Sequence, residues 1–195
     1  MRKKILFLAG MMACCSLAGA QEISKTWVAD KGNGTYQNPV LHADYSDPDV
    51  CAAGDDFYMT ASSFNCIPGI PILHSNDLVN WSLVNYALPI QEPEEFFDKA
   101  PHGKGVWAPA IRFHNGEFYI YWGDPDYGIY MIKAKDPKGR WSKPVLVKAG
   151  NGMIDRTPLW DEDGKVYLVH AYAGSRSGVN EIGVYLQLNE AGRER

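Results

Sequence analysis

The sequence predicts an all-β protein, a β-propeller built from four-stranded antiparallel blades, on three observations. Long helical periodicity is absent, and short runs of β-branched and aromatic residues are bounded by Gly, Asp, Asn and Pro, which is typical of short strands joined by tight turns. Three of these runs share the order of a proline, a turn and an aromatic strand, and each is followed by a second hairpin. The unit therefore returns about every 50 to 60 residues, which is the period of propeller blades.

Residues 1–20 have the pattern of a secretory signal peptide, with a basic start, an apolar stretch over 5–15 and small residues at 18–20. The apolar stretch is too short to span a membrane. We therefore expect export, to the periplasm or outside the cell, with Gln21 as the first mature residue. Lipoprotein anchoring at Cys14 is an alternative that the residues preceding it disfavour. Residues 21–36 are expected to be a lead-in to the first blade.

We predict that residues 37–195 form an incomplete propeller, with blades at about 45–90, 105–150 and 154–195. Asn-Gly and Asp-Gly are strong hairpin signals because both central residues of such turns need a positive φ. The turns that open the three blades are Gly54-Asp55-Asp56, Asn115-Gly116 and Asp163-Gly164. In the first blade this turn sets Cys51 opposite about Phe57 to Met59. Cys66 then lies too far along for a disulfide, whose Cα atoms stay within about 7 Å, and we expect two separate, half-buried thiols.

The charge and the histidines exclude two classes of partner. The chain has 19 basic and 23 acidic residues, so nothing in its charge suggests nucleic acid as a ligand. The five histidines have no spacing typical of a metal site, and His170, on a strand, is expected to be packed in the interior. We predict no required cofactor and no metal site in this chain.

Three side chains that could form a functional site hold similar places in the repeat. A propeller lines its axis with the first strand of every blade, and Asp47, Trp107 and Asp155 come just ahead of those strands. The repeat therefore predicts two carboxylates and one indole at one end of the axis. The structural alternatives are an Asp that forms a turn before Pro48 and a tryptophan that belongs to the core.

An ordered set of motifs resembles glycoside hydrolase family 43 over about residues 37–189. The motifs with the clearest resemblance are Asn38-Pro39-Val40, Tyr45-Ser46-Asp47-Pro48-Asp49-Val50, His74-Ser75-Asn76-Asp77, Val106-Trp107-Ala108-Pro109 and Ile154-Asp155. The resemblance implies a five-bladed propeller, of which this chain would cover about two and a half to three blades. It also implies an enzyme that acts on β-xylosides or α-L-arabinofuranosides of hemicellulose with inversion. A closed propeller at this spacing needs about 280 to 300 residues, so we expect an N-terminal portion.

The same resemblance implies roles for four residues. Asp47 matches the general base that activates water. Asp155 matches the acidic residue that orients the substrate and raises the pKa of the general acid. Phe64 and Trp107 match the aromatic walls of the sugar pocket. Arg156 stands where relatives commonly have a proline.

The general acid is missing from the pattern. Inversion needs a protonated carboxyl group roughly 6.5 to 9.5 Å from the base, and the family supplies it from a Glu-Gly-Pro motif that does not occur in this chain. Glu117 stands at the wrong end of its blade, Glu181 lies between two hairpins, and the loop with Glu92, Glu94 and Glu95 is expected to be solvated. We predict no general acid in this chain, and a structural calcium only in a complete propeller.

Two hypotheses follow from these observations. The first is a secreted hemicellulose-degrading glycosidase that takes an oligosaccharide or polysaccharide as substrate. The second is a catalytically inactive fragment of a propeller that binds carbohydrate. A fructan-cleaving propeller is a further alternative, but such enzymes have a different carboxylate motif in the first blade.

Overall fold

The computed structural model describes residues 26–99, 102–178 and 182–188, and almost all of its regular structure is β. Its strands form three antiparallel sheets in chain order, which we call the first, second and third blades. The predicted signal peptide and Glu181 lie outside the described residues. Among the residues described, no helix is both long enough and apolar enough to cross a membrane.

The first blade contains β1 (Asp49–Ala53), β2 (Asp56–Thr60), β3 (Gly69–Ser75) and β4 (Ser82–Leu88), paired in that order. The predicted hairpin is confirmed, because Gly54 takes a positive φ of 65° and Cys51 pairs with Tyr58. Cys51 and Cys66 are both free, as expected, but they are not half-buried. Cys51 lies in the core and Cys66 is exposed, since Cys66 lies in the loop between β2 and β3 rather than on a strand.

The second blade contains β5 (Trp107–His114), β6 (Glu117–Asp124), β7 (Gly128–Ala134) and β8 (Val145–Ala149). It follows a long connection that includes the short helix α1 (Glu94–Phe97). Residues 118–124 of β6 are all buried. This blade has a neighbour on each face, so its middle strand is a continuous apolar run rather than an alternating one.

The third blade contains β9 (Met153–Trp160), β10 (Val166–Tyr172) and β11 (Ile182–Leu188), with β10 in the middle. A second short helix, α2 (Gly174–Ser177), connects β10 towards β11. His170 in β10 is 1% exposed, which confirms the expectation of a packed histidine.

Two apolar cores join the blades. One lies between the first and second blades around Ile70, Ile120 and Trp122, and the other lies between the second and third around Tyr121 and Leu168. The first strands of the blades, β1, β5 and β9, contact one another in sequence. They are therefore the inner strands of the arc, and their starting ends lie together. We call this end of the arc the mouth.

Candidate active site

Each inner strand has a residue in the left-handed backbone region at or just before its starting end. The φ angles are 50° at Asp47, 38° at Ala108 and 51° at Asp155, values that cost a non-glycine residue roughly 1 to 3 kcal/mol and tend to occur at functional sites. All three stand two residues before an equivalent cross-strand pair; these pairs are Asp49–Thr60, Ala110–Tyr121 and Thr157–Val169. The same strained bend thus recurs at the mouth of every blade.

This register corrects the alignment expected from the prolines. Ala108, not Trp107, is the counterpart of Asp47 and Asp155, and Trp107 stands one residue earlier. In the third blade Arg156, not Pro158, takes the place of Pro48 and Pro109. Both inner strands are irregular at this point: the pairing of β5 with β6 shifts its register between Trp107 and Ala110, and that of β9 with β10 shifts between Val169 and Ala171. Counting back from the prolines therefore does not give the equivalent residues.

Asp47 presents an exposed carboxylate that two serine hydroxyls hold by the same oxygen. Ser62 Oγ donates to Asp47 Oδ2 at 2.6 Å, and Ser46 Oγ donates to it at 3.2 Å. Among the described residues, every side-chain hydrogen bond to this carboxylate ends on Oδ2. Oδ1 therefore accepts no hydrogen bond from these side chains.

Ser62 also connects this carboxylate to the second blade. Its Oγ accepts a hydrogen bond from the backbone N–H of Ala108 at 2.8 Å. The chain of contacts therefore runs from the bend at Asp47 to the bend at Ala108, 61 positions later in the sequence, through one side chain.

Arg156 makes the corresponding connection from the third blade. Its side chain is 1% exposed, and Nη2 donates to the carbonyl oxygens of Trp107 at 3.0 Å and Ala108 at 2.5 Å. Burial lowers the pKa of Arg156 to about 9 against the opposing effect of Asp155, which leaves the guanidinium charged at neutral pH. The bends at Ala108 and Asp155 are thereby joined.

Gly123 makes room for the buried guanidinium. A Cβ added at Gly123 would lie 3.1 Å from Arg156 Nη1 and only 2.3 Å from the carbonyl oxygen of Met153. The second and third blades thus approach so closely at the mouth that no side chain fits between them at this position.

Asp155 and the two predicted aromatic residues lie at the same end of the blades. The Asp155 side chain is exposed, while Phe64 and Trp107 are half-buried. The two rings meet edge to face, with centroids 6.2 Å apart and an interplanar angle of 74°. Trp107 Nε1 donates to the carbonyl oxygen of Gly103 at 2.9 Å, which fixes the orientation of the indole. The roles of Asp47, Asp155, Phe64 and Trp107 remain predictions.

A second set of bonds, one step further along the inner strands, joins all three blades. Asp49 Oδ2 accepts hydrogen bonds from the backbone N–H of Ile111 at 2.8 Å and from Arg112 Nη1 at 2.5 Å. Arg112 Nη2 donates to Thr157 Oγ1 at 2.6 Å. This network lies further from the mouth than the bends at Asp47, Ala108 and Asp155, and it holds the three inner strands together there.

Among the described residues, the carboxyl groups considered as a general acid stand in three different settings. Glu117 starts β6 at the far hairpin, where a hydrogen bond from Lys133 at 2.8 Å lowers its pKa. Glu92, Glu94 and Glu95 are exposed, as expected for a solvated loop. Asp124 ends β6 at the mouth and burial raises its pKa to about 6, but its side chain is 2% exposed. Its Oδ1 accepts the N–H groups of Asp126 and Tyr127, so Asp124 caps a turn.

Two clefts lie away from the mouth. One of about 530 Å³ lies between the lead-in, near Trp27 and His42, and the turn at 79–82. The other, of about 320 Å³, lies beside His114 and Trp160 at the far end of the second and third blades. Within the part of the chain that the structure describes, no three His, Cys, Asp or Glu side chains are grouped so that they could hold a metal ion.

The sequence matches the model of glycosyl hydrolases family 43 over residues 36–194. The chain belongs to glycosyl hydrolase family 43. It is 37% identical to a β-xylosidase of Formosa agariphila over 80% of this chain and 28% of that protein. It is 38% identical to a non-reducing end α-L-arabinofuranosidase of Bacteroides ovatus over 69% of this chain and 26% of that protein. The family 43 chain thus spans less than a third of the length of these curated relatives.

Solved structures of family 43 agree with the fold. The family 43 protein BlXynB of Bacillus licheniformis aligns with a TM-score of 0.66 at 32% identity, over 82% of this chain and 32% of that chain. A xylan β-1,4-xylosidase of Bacillus halodurans aligns with a TM-score of 0.66 at 28% identity, over 80% of this chain and 31% of that chain. The predicted family resemblance and all-β propeller class are confirmed.

Proposed function

We propose that this family 43 chain is the N-terminal part of an exported glycosidase that releases β-xylosyl or α-L-arabinofuranosyl units from hemicellulose with inversion. The names of its relatives support the substrate class, since they include β-xylosidases and an α-L-arabinofuranosidase. The signal-peptide pattern of residues 1–20 supports export.

The observation that carries the proposal is the mouth itself. Two exposed carboxylates, Asp47 and Asp155, stand at equivalent bends of two blades, with the half-buried Phe64 and Trp107 at the same end. Carboxylates suit sugar hydroxyl groups, and aromatic rings suit the apolar C–H faces of the ring. An exposed, strained carboxylate with one occupied oxygen is suited to activate water.

In the proposed reaction, Asp47 Oδ1 takes a proton from a water molecule while the water oxygen attacks the anomeric carbon. The glycosidic bond breaks, and its oxygen leaves with a proton from a general acid. Asp155 holds the sugar and its negative charge raises the pKa of that acid. We propose that the acid comes from outside these 195 residues.

Hydrolysis of aryl β-xyloside and aryl α-L-arabinofuranoside by the full-length protein tests the proposal. Asp47→Ala should reduce kcat by about a thousandfold or more, since the step loses its base. Asp55→Ala is the matched control, because Asp55 is an exposed carboxylate in the hairpin turn at the opposite end of β1. Equal activity of Asp47→Ala and the wild type would overturn the assignment.

An inactive, carbohydrate-binding protein is the second candidate, favoured by the missing Glu-Gly-Pro motif. Calorimetry with xylo- and arabino-oligosaccharides, run on the sample used for the assay, separates the two. Heat of binding without any turnover would support the second candidate and contradict the first.

A further inference from the structure

We propose that Ser62 is a positioning residue that fixes the carboxylate of Asp47 in its working orientation and ties it to the second blade. Ser62 can have this role only if Asp47 is the base, as proposed above. Nothing in the sequence distinguishes Ser62 from Ser63 beside it; its place in the fold does.

The hydrogen bonds of Ser62 leave its hydroxyl one direction to donate. A serine hydroxyl has one hydrogen and two lone pairs. The Ala108 N–H, at 2.8 Å, occupies a lone pair, and the hydrogen points to Asp47 Oδ2 at 2.6 Å. A donor of this kind to an ionised oxygen is stronger than a bond between neutral groups. The two bonds orient each other across the gap between the blades.

The backbone around Ser62 is held on both sides. Its N–H donates to the carbonyl oxygen of Ser46 at 2.9 Å, next to Asp47 itself. The following residue, Ser63, exchanges two backbone hydrogen bonds with Val106 at 3.0 and 3.1 Å. The half-buried hydroxyl therefore stands on a fixed segment rather than on a free loop.

In this arrangement the two carboxylate oxygens of Asp47 have different roles. Oδ2 receives Ser62 and, at the longer distance of 3.2 Å, Ser46, so Oδ1 is the oxygen available to accept a proton from water. Without Ser62 the carboxylate can rotate, and the N–H of Ala108 loses its acceptor at a strained bend. The expected result is a misplaced base in a folded protein.

The test compares Ser62→Ala, Ser62→Thr and Ser75→Ala in the full-length protein with aryl β-xyloside and aryl α-L-arabinofuranoside. Ser75 is the matched control: its Oγ also donates to a carboxylate, Asp77 at 3.0 Å, and accepts two backbone N–H groups, but at the far end of β3. We expect Ser62→Ala to lower kcat by about tenfold to a hundredfold and to change KM by less than about threefold. Ser62→Thr, which keeps the hydroxyl, should restore most of the activity.

The split between kcat and KM, together with the rescue by Ser62→Thr, separates positioning from general damage. A misplaced base lowers kcat while the sugar still binds, whereas Ser75→Ala should leave both constants close to those of the wild type. An unchanged kcat in Ser62→Ala would overturn the inference. So would an equal loss of kcat in Ser62→Ala and Ser75→Ala.

Asp47→Asn, assayed alongside, keeps the two hypotheses apart. If Asp47→Asn stays active, the base assignment fails and the role of Ser62 fails with it. If Asp47→Asn is inactive while Ser62→Ala equals the wild type, only the role of Ser62 is refuted.

Discussion

Arg156 of the third blade donates hydrogen bonds to the carbonyl oxygen of Ala108 in the second blade, at 2.5 Å, and to that of Trp107, at 3.0 Å. A guanidinium with 1% exposure is costly to bury unless its donors find partners. Here the partners are the backbone of the predicted sugar wall, and the residue before Arg156 is the predicted catalytic Asp155. One buried side chain therefore couples two parts of the mouth.

Replacing Arg156 tests this coupling. Arg156→Met should lower the free energy of unfolding of the full-length protein by about 2 to 4 kcal/mol, because two partly buried carbonyl oxygens lose their donors. Arg156→Lys should lower the free energy of unfolding by a smaller amount, since the lysine ammonium keeps the charge but lacks the planar, forked donors of arginine. Urea denaturation measures both, and an Arg156→Met protein as stable as the wild type would contradict the coupling.

The close approach of the blades predicts an intolerant glycine. Gly123→Ala should destabilise the protein by about 1 to 3 kcal/mol, since the added Cβ would lie 2.3 Å from the carbonyl oxygen of Met153. Gly139→Ala is the control, because its Cβ would meet nothing nearer than 3.4 Å. Thermal unfolding of the two variants should differ clearly, and equal melting temperatures would show that the blades can separate at the mouth.

The buried Asp124 predicts a pH dependence of stability. Burial raises the pKa of Asp124 well above the ordinary value of an aspartate, to about 6, so the folded state binds this proton more tightly than the unfolded state. The stabilising contribution of Asp124 is therefore present below about pH 4 and is lost as the pH rises through about 6. Asp124→Asn should remove this pH dependence of the free energy of unfolding. Between pH 4 and pH 7 the variant should therefore become more stable relative to the wild type. Urea titrations at several pH values measure the difference, and parallel profiles would contradict it.

The aromatic wall predicts a loss of sugar binding. Trp107→Ala should weaken binding of xylo- or arabino-oligosaccharides about tenfold, because the sugar loses an apolar face. Trp81→Ala is matched to it: the Trp81 indole also donates to a nearby carbonyl oxygen, that of Leu78 at 3.0 Å, but lines the cleft near the lead-in. Calorimetry should detect the loss in Trp107→Ala alone, and equal affinities in the two variants would place the sugar elsewhere.

The blades could be predicted from the sequence because the patterns that indicate strands and turns are local. Turns such as Asn115-Gly116 and the alternation of apolar residues depend on neighbours in the chain, and the predicted hairpins form in the register expected for Cys51 and Tyr58. For the mouth, the sequence predicted which residues come near the starts of the inner strands, but not which of them are equivalent or how they are bonded. That Ala108 is the counterpart of Asp47 depends on a register shift in β5, between Trp107 and Ala110, which no turn signal marks.

Ser62 and Arg156 escaped prediction for a related reason. A serine after a strand and an arginine after an aspartate are ordinary surface residues by composition. Their importance comes from bonds to residues 46 and 48 positions away in the chain, and hydrogen bonds across blades leave no periodic pattern. The exposed Cys66 was misjudged in the same way, since burial outside a strand depends on neighbours from other blades.

The anomeric configuration of the sugar first released tests the central claim most directly. With the full-length protein and aryl β-xyloside, proton NMR at early times should show α-xylose, because water activated by Asp47 attacks the face opposite the leaving group. Asp47→Asn should release no sugar of either configuration at a comparable rate. Release of β-xylose as the first product, or inversion that persists in Asp47→Asn, would contradict the account.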